Sequence, residues 1–134
     1  FRSTMKLTPN FSLSEFRCHD GTDVPDELMD NVTLLAENLQ IIRDEIGLPM
    51  RVISGYRHPE YNRNIGGAKK SQHMTAKAAD LKVSGMEPLE LWKVITRLIS
   101  EGKLHPGGVG LYTTFVHYDV RGRNARWYGK GARP

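Results

Sequence analysis

Two histidines and one aspartate in this sequence have the residue types of a metal-binding set. His73 and Asp80 are seven positions apart in the stretch 71–80, and His117 follows much later, in the segment 115–119. A catalytic zinc ion is typically bound by three protein ligands with nitrogen or oxygen donors, while the fourth position is left to water. The residue types therefore predict a zinc site formed by His73, Asp80 and His117.

The segment around His117 also carries a second acidic side chain. Zinc held by such a set lowers the pKa of a bound water toward about 7, which is the chemistry of a hydrolase. His117 and Asp119 are two apart on a predicted strand, so their side chains share one face, while Val116 and Val120 face a core. Asp119 then has two possible roles: it accepts a proton from the water as a general base, or it orients a ligand histidine.

Two long stretches of the sequence predict helices, over 25–47 and over 88–102. Apolar residues recur in both at steps of three and four, and each stretch has a proline near its start and a glycine at its end. A capping box at 12–15 predicts a short helical segment over 13–18. The apolar positions that predict the core faces of the two long helices are Leu28, Val32, Leu35, Leu39, Ile42 and Ile46, then Leu91, Val94, Ile95, Leu98 and Ile99.

Four shorter segments are predicted to be strands, namely 50–54, 78–83, 105–112 and 115–120. The last two are joined at Thr113 and Thr114 and predict a hairpin. Three glycines in 105–112 are not a dinucleotide-binding motif, because no helix signal follows them. The segment 62–70 is typical of an exposed loop, and the tail 121–134 shows no periodicity.

Composition limits the classes of protein that this chain can represent. Its 134 residues, 39% hydrophobic and 25% charged, predict one globular domain spanning 1–134. A net charge of +4 favours an acidic partner, either nucleic acid or an anionic wall or membrane surface. Cys18 is the only cysteine, which excludes an internal disulfide and predicts a buried thiol. The sequence has no apolar run of about 18 residues to span a membrane and no signal-peptide pattern.

Four motifs together resemble the zinc D-Ala-D-Ala carboxypeptidases and murein endopeptidases, a family of peptidoglycan zinc peptidases. They are Phe11-x-Leu-Ser-Glu-Phe16, Ser54-Gly-Tyr-Arg57-x-Pro59-x-Tyr-Asn62, Ser71-x-His73-x6-Asp80 and Gly108-Val-Gly-x-Tyr112-x2-Phe-Val-His117-x-Asp119-x-Arg121. They cover most of the chain and are specific only in combination. The resemblance implies an α+β fold of the hedgehog and DD-peptidase type, with a small, mainly antiparallel sheet flanked by helices. It also implies zinc-dependent cleavage of a peptide bond that involves a D-amino acid in peptidoglycan.

The resemblance assigns roles to individual residues. It implies that His73, Asp80 and His117 bind the zinc and that Arg57 lies near the substrate. There the planar guanidinium suits a carboxylate or a developing oxyanion. The alternative for Arg57 is a solvated surface arginine. The substrate contacts that the resemblance suggests are Ser71, Gln72, Trp127 and Tyr56, of which Tyr56 is equally well explained by packing.

Two positions differ from related branches of the family. Those branches place Glu three residues before the last ligand, or His two residues before it, where this chain has Thr114 and Phe115. Asp119 is then the nearest carboxylate, and we predict that Asp119 is the general base and that Arg57 is the second catalytic residue. The alternative is a non-catalytic, zinc-bearing module that binds the cell wall on the same fold. The only support for a nucleic-acid-binding function is the basic tail, and we do not expect nucleic acid as a partner.

The implied substrate also predicts where the protein works. Peptidoglycan stem or cross-link peptides as partners place it outside the cytoplasm, in the periplasm or cell wall, or make it a phage protein released at lysis. We expect a monomer. Both kinds of bond, a terminal D-alanine and a cross-link, fit the motifs.

Overall fold

A computed structural model describes residues 5–134 and contains two sheets and three α-helices within that range. The helices are α1 (Met29–Ile46), α2 (Pro59–Asn64) and α3 (Pro88–Ser100). The strands are β1 (Lys6–Thr8), β2 (Phe11–Ser12), β3 (Met50–Ser54), β4 (Ala78–Val83), β5 (Gly108–Leu111), β6 (Val116–Asp119) and β7 (Ala125–Tyr128), and short 3₁₀ segments cover Leu13–Phe16, Asp26–Leu28 and Gln72–Thr75. No helix within residues 5–134 is both long and apolar enough to cross a membrane.

The main sheet has the strand order β3-β4-β6-β5-β7, and β1 and β2 form a separate small sheet. Three of the four strand pairs in the main sheet are antiparallel, and the β5–β7 pair is parallel. Helix α3 packs on β4, β5 and β6, and α1 packs on α3 and β1. The predicted α+β architecture with a mainly antiparallel sheet is therefore confirmed.

The core lies where the two long helices meet the sheet. The apolar stripe of α1 is fully buried at Val32, Leu35, Leu39 and Ile42, and that of α3 at Leu91, Ile95 and Leu98. Strand β6 contributes Val116 and Tyr118 to this core. Because side chains alternate along a strand, its other two residues, His117 and Asp119, point to the opposite face. The core thus fixes the face on which the polar pair lies.

Three strands lie where the sequence predicted no regular structure: the short strands β1 and β2, and β7 in the tail. Residues 125–128 form β7 at the edge of the sheet, parallel to β5, with Trp127 opposite Gly110. Only alternate residues of this strand are partly buried, and four residues are too few for a period to stand out. The interpretation of the tail as aperiodic was wrong, because the strand forms through a pairing that is distant in sequence.

Helix α2 was also missed, and its residues 62–64 lie in the segment 62–70 that the sequence predicted to be an exposed loop. Pro59 occupies the first turn, and the His58 side chain caps the helix by accepting the backbone N–H of Tyr61. Six residues cannot show a helical repeat, so the caps were the available signal. This helix lies directly after Arg57 and helps to position it.

Candidate metal centre

The three predicted ligands come from three different elements and meet at one place. His73 lies in the 3₁₀ segment after α2, Asp80 in β4 and His117 in β6. Asp80 is directly opposite His117 in the antiparallel β4–β6 pair, so both side chains project from the same face. The donor atoms of the three residues lie within 4.8 Å of one another, and all three residues are buried.

The distances at this site suit a shared metal ion. Asp80 Oδ1 is 3.3 Å from His73 Nε2 and 3.1 Å from His117 Nδ1. His73 Nε2 is buried without a hydrogen bond, and leaving a buried polar atom unpaired costs about 1–3 kcal/mol. Two imidazoles and a carboxylate are also a donor set that zinc prefers. The residues present therefore fit a zinc ion.

The second nitrogen of each imidazole is held by a neighbour. His73 Nδ1 is 2.7 Å from the carbonyl oxygen of Gly55, and His117 Nε2 is 2.7 Å from Asp119 Oδ2. When these nitrogens donate their protons, His73 Nε2 and His117 Nδ1 keep lone pairs that face Asp80. Histidines that bind metals usually donate their other N–H to a carbonyl or carboxylate in this way.

Asp119 is fully buried, and both of its carboxylate oxygens already have donors. Oδ1 accepts from the backbone N–H of Gly108 at 2.9 Å, and from the backbone N–H and Nε of Arg121 at 3.2 and 2.8 Å. Oδ2 accepts from Arg121 Nη2 at 2.8 Å and from His117 Nε2. The carboxylate is 0% exposed and does not line the cleft. Of the two roles left open by the sequence, this geometry favours orienting His117.

The ligands line an open cleft of about 460 Å³. The other predicted site residues that line it are Arg57, Ser71, Gln72 and Trp127. Tyr56 is not among them, because its side chain is 5% exposed and packs in the core. Its position fits the packing interpretation rather than a substrate contact.

Arg57 is held beside the ligands by three polar contacts. Its Nη2 is 3.5 Å from Asp80 Oδ2, its Nε is 3.3 Å from Ser54 Oγ and its Nη1 is 3.4 Å from Asn62 Oδ1. The side chain is 17% exposed. Arg57 is therefore a fixed cation in the wall of the cleft and not a freely solvated surface arginine.

Comparison with known families bears directly on this site. A family model described as Peptidase M15 matches residues 6–119. The chain belongs to the Peptidase M15 family. The match confirms the resemblance inferred from the motifs. Peptidases of this family are zinc-dependent, so the match supports a zinc peptidase that acts on peptidoglycan. A comparison with curated proteins gives no match.

The charges at the M15 site are arranged for metal binding. Burial raises the pKa of Asp80 and of Asp119, but their neighbours hold both pKa values below the usual range. For Asp80 these neighbours are His117, through a hydrogen bond, and the nearby imidazole of His73; for Asp119 they are Arg121 and His117, through hydrogen bonds. Burial lowers the pKa of His73, and its partner Asp80 does not offset this. Burial also lowers the pKa of His117, but Asp119 and Asp80 together raise it above its ordinary value of 6.5. These shifts favour the neutral form of His73, which can bind a metal, and they extend the protonated form of His117 to higher pH.

Zinc binding by this M15 peptidase is therefore expected to depend on pH. Because the pKa of His117 is raised in the metal-free protein, affinity should be highest above that pKa and fall about tenfold per pH unit below it. Competition with a chromophoric chelator at stepped pH measures the midpoint. In Asp119→Asn the midpoint should move to lower pH, because one of the hydrogen bonds that raise the pKa is weakened. An affinity that is constant from about pH 6 to about pH 9 would contradict this expectation.

Two residues near the M15 site were part of a motif but received no role from the sequence. Arg121 pairs with both oxygens of Asp119. Its position two residues after Asp119 in the sequence could have indicated this ion pair. Tyr112 lines the cleft, and its hydroxyl is 2.9 Å from Trp127 Nε1. The contact between Tyr112 and Trp127 could not be predicted from the sequence, because it depends on strand β7, which was not predicted.

A second group of possible donors, formed by Cys18, Asp20 and His58, lies away from the M15 ligands. His58 Nδ1 accepts the backbone N–H of Tyr61, so in the neutral ring the proton is on Nε2, which is 2.5 Å from Asp20 Oδ2. The hydrogen bond from His58 to Asp20 accounts for this contact without a metal. It links the loop around Asp20 to helix α2, and Cys18 is a buried free thiol, as predicted.

Proposed function

We propose that this M15 peptidase hydrolyses a peptide bond next to a D-amino acid in peptidoglycan stem or cross-link peptides, with zinc held by His73, Asp80 and His117. The observation that carries the proposal is the convergence of three buried donors at an open cleft, one of them the unpaired His73 Nε2. Zinc bound there would lower the pKa of a bound water and polarise the carbonyl of the scissile bond.

The protein's own groups hold this donor set in place. The Gly55 carbonyl fixes the ring of His73 and Asp119 fixes the ring of His117. Arg121 in turn holds the Asp119 carboxylate with two side-chain N–H groups. In this proposal Asp119 is a positioning residue and not the general base, because a carboxylate with five donors and a lowered pKa accepts a proton poorly.

The charge of the cleft suits an anionic substrate. Three cationic side chains, Arg57, Lys70 and Arg121, line it, and among the lining residues that the structure describes the one carboxylate is Asp80, a proposed ligand. Stem peptides carry free carboxylates, so both a terminal D-alanine and a cross-linked chain meet this requirement. We assign Arg57 to the carbonyl or carboxylate of the substrate, and Ser71, Gln72 and Trp127 to further substrate contacts.

Arg57 offers a direct test of this assignment. Arg57→Lys keeps the positive charge but loses the planar fork, so kcat/KM on muropeptides should fall about 10- to 100-fold while bound zinc stays at the wild-type level. Arg63→Lys, at an exposed arginine of α2, is the matched control and should leave kcat/KM unchanged. Equal activity of the two variants would remove Arg57 from the substrate site.

The second candidate function is a zinc-bearing module that binds the wall without cutting it. It is favoured by the presence of Thr114 and Phe115 where related branches carry Glu or His, and by the lack of a free carboxylate among the described lining residues. In that case the same cleft would hold a stem peptide without turnover. For either function we propose a monomer that works outside the cytoplasm, in the periplasm or wall or after release by phage lysis.

Digestion of purified muropeptides distinguishes the two functions. Pentapeptide monomers and cross-linked dimers are incubated with zinc-loaded and with chelator-treated protein, and the products are identified by mass spectrometry. The proposal predicts loss of D-alanine or splitting of the dimer, with zinc required. Binding without cleavage would select the module, and neither binding nor cleavage would contradict both functions.

A further inference from the structure

Tyr112 lines the cleft, and its hydroxyl has a proton to donate. Tyr112 follows the last residue of β5 and lines the cleft together with the proposed ligands. Trp127 Nε1 donates to its oxygen at 2.9 Å. An indole nitrogen is a donor only, so the phenol oxygen is the acceptor in this bond. The hydroxyl proton of Tyr112 therefore remains available to a third group.

The indole of Trp127 contacts both the Tyr112 hydroxyl and a proposed ligand. Its ring lies 5.0 Å from the ring of His117, centroid to centroid, and its nitrogen contacts the hydroxyl. Arg121 is 5.4 Å from the centroid of the same indole, which helps to fix it. Tyr112, Trp127 and the three proposed ligands line one cleft, so a substrate that fills the cleft at the ligands would also contact this aromatic pair.

Several contacts fix the Tyr112 ring. It stacks on Phe115 at 4.4 Å with an angle of 9° between the planes. A side chain at Gly129 would overlap the Tyr112 ring, and one at Gly110 would overlap the indole of Trp127. Two glycines therefore leave room for this pair of aromatic side chains. A hydrogen-bond donor that is already in position does not have to reorganise during the reaction. Such a preorganised donor can stabilise the charge that develops in the transition state.

We propose that Tyr112 is a further catalytic residue that donates a hydrogen bond to the scissile carbonyl oxygen as it becomes an oxyanion. This inference rests on the proposed function. In the hydrolysis, water oxygen adds to the carbonyl carbon and the π electrons move to the carbonyl oxygen. The C–N bond then breaks, and the leaving nitrogen takes up a proton that comes from the water. Tyr112 keeps its own proton throughout and stabilises the charge on oxygen.

The alternative is that the Tyr112 hydroxyl only accepts the Trp127 proton and has a packing role. The substitution Tyr112→Phe separates these possibilities, because it removes the hydroxyl and keeps the ring on Phe115. We expect kcat on muropeptides to fall about 100-fold, with KM and bound zinc close to wild type. The control is Tyr128→Phe at a 49% exposed residue of β7, which packs near Trp92 and should keep full activity. A kcat for Tyr112→Phe within about twofold of wild type would overturn the proposal.

A binding measurement keeps this inference separate from the proposed function. A phosphinate analogue of D-alanyl-D-alanine carries a tetrahedral, anionic centre in place of the carbonyl. Calorimetry should show that Tyr112→Phe weakens its binding to the zinc-loaded protein about as much as kcat/KM falls, because such analogues resemble the transition state. If the wild type cleaves no muropeptide, the proposed function fails and the role of Tyr112 fails with it. If the wild type cleaves muropeptides and Tyr112→Phe keeps both its activity and its phosphinate affinity, only the role of Tyr112 fails. Equal phosphinate affinity of wild type and Tyr112→Phe would overturn that role.

Discussion

Replacing His117 with alanine is expected to abolish tight zinc binding and to lower kcat/KM on muropeptides by more than about 1,000-fold. The substitution removes one of three donors and leaves two ligands, Asp80 and His73, that are 3.3 Å apart. Loss of a residue that only orients a ligand typically costs about 10- to 100-fold in metal affinity or activity, so loss of a ligand should cost more. Zinc content by elemental analysis and turnover by mass spectrometry measure the two effects.

The control for this prediction is another histidine of the same chain. His105 is partly buried and does not line the cleft, so His105→Ala should keep both zinc and activity. Circular dichroism shows whether His117→Ala remains folded, since Asp119 loses a buried partner in that variant. A folded His117→Ala protein that cleaves muropeptides at the wild-type rate would show that the hydrolysis does not depend on this site.

The second large effect is expected for Asp119→Asn, which keeps the shape of the side chain and removes its charge. If Asp119 positions His117, zinc affinity should fall about 10- to 100-fold, and kcat should largely recover at saturating zinc. Arg121 would lose its charged partner, which lowers the free energy of unfolding by on the order of 3 kcal/mol. Chelator competition, kcat at saturating zinc and thermal unfolding give the three quantities.

The opposite role for Asp119 predicts a different pattern. Loss of a general base would leave zinc affinity at the wild-type level, while kcat would stay low at any zinc concentration. Asp23→Asn, at an exposed aspartate, is the matched control for the loss of one carboxylate and should change neither quantity. A persistent loss of kcat with unchanged zinc affinity would therefore return Asp119 to the role of base that the sequence suggested.

Residue types alone were enough to propose the metal ligands, whereas the periodicity of apolar residues predicted only some of the helices and strands around them. His73, Asp80 and His117 were predicted as ligands because few residue types bind zinc, and the structure brings their donor atoms within 4.8 Å of one another. The long helices were found because each shows several turns of apolar periodicity. Strand β7 and helix α2 were missed, because four and six residues are too short for a period.

The role of Asp119 could not be decided from the sequence, for a physical reason. Whether a carboxylate acts as a base depends on how many donors already surround it, and the donors of Asp119 include the backbone N–H of Gly108 on another strand. That contact depends on the residue-by-residue register of the β5–β6 hairpin, and the sequence predicted the hairpin but not its register. For Tyr56, whose two possible roles the sequence left equal, burial in the core favours the packing role.

The basic tail illustrates how charge in a sequence differs from charge on a surface. Arg121 directs its guanidinium to the buried Asp119, and Arg126 Nη1 donates to the carbonyl oxygen of Gly107 at 2.7 Å. Two of the positive charges that suggested an acidic partner are therefore engaged in hydrogen bonds within the protein. The tail contributes Trp127 to the cleft, which connects this segment with the proposed peptidase site.

Anomalous scattering at the zinc edge, measured from a crystal of the zinc-loaded protein, would locate the metal. We expect one strong peak bounded by His73 Nε2, Asp80 Oδ1 and His117 Nδ1, at about 2.0–2.2 Å from each atom. Asp119 should stay hydrogen-bonded to His117 and outside the coordination sphere. If no peak lies between the three proposed ligands, or if the zinc peak lies only at Cys18, Asp20 and His58, these residues do not form the zinc site of the peptidase.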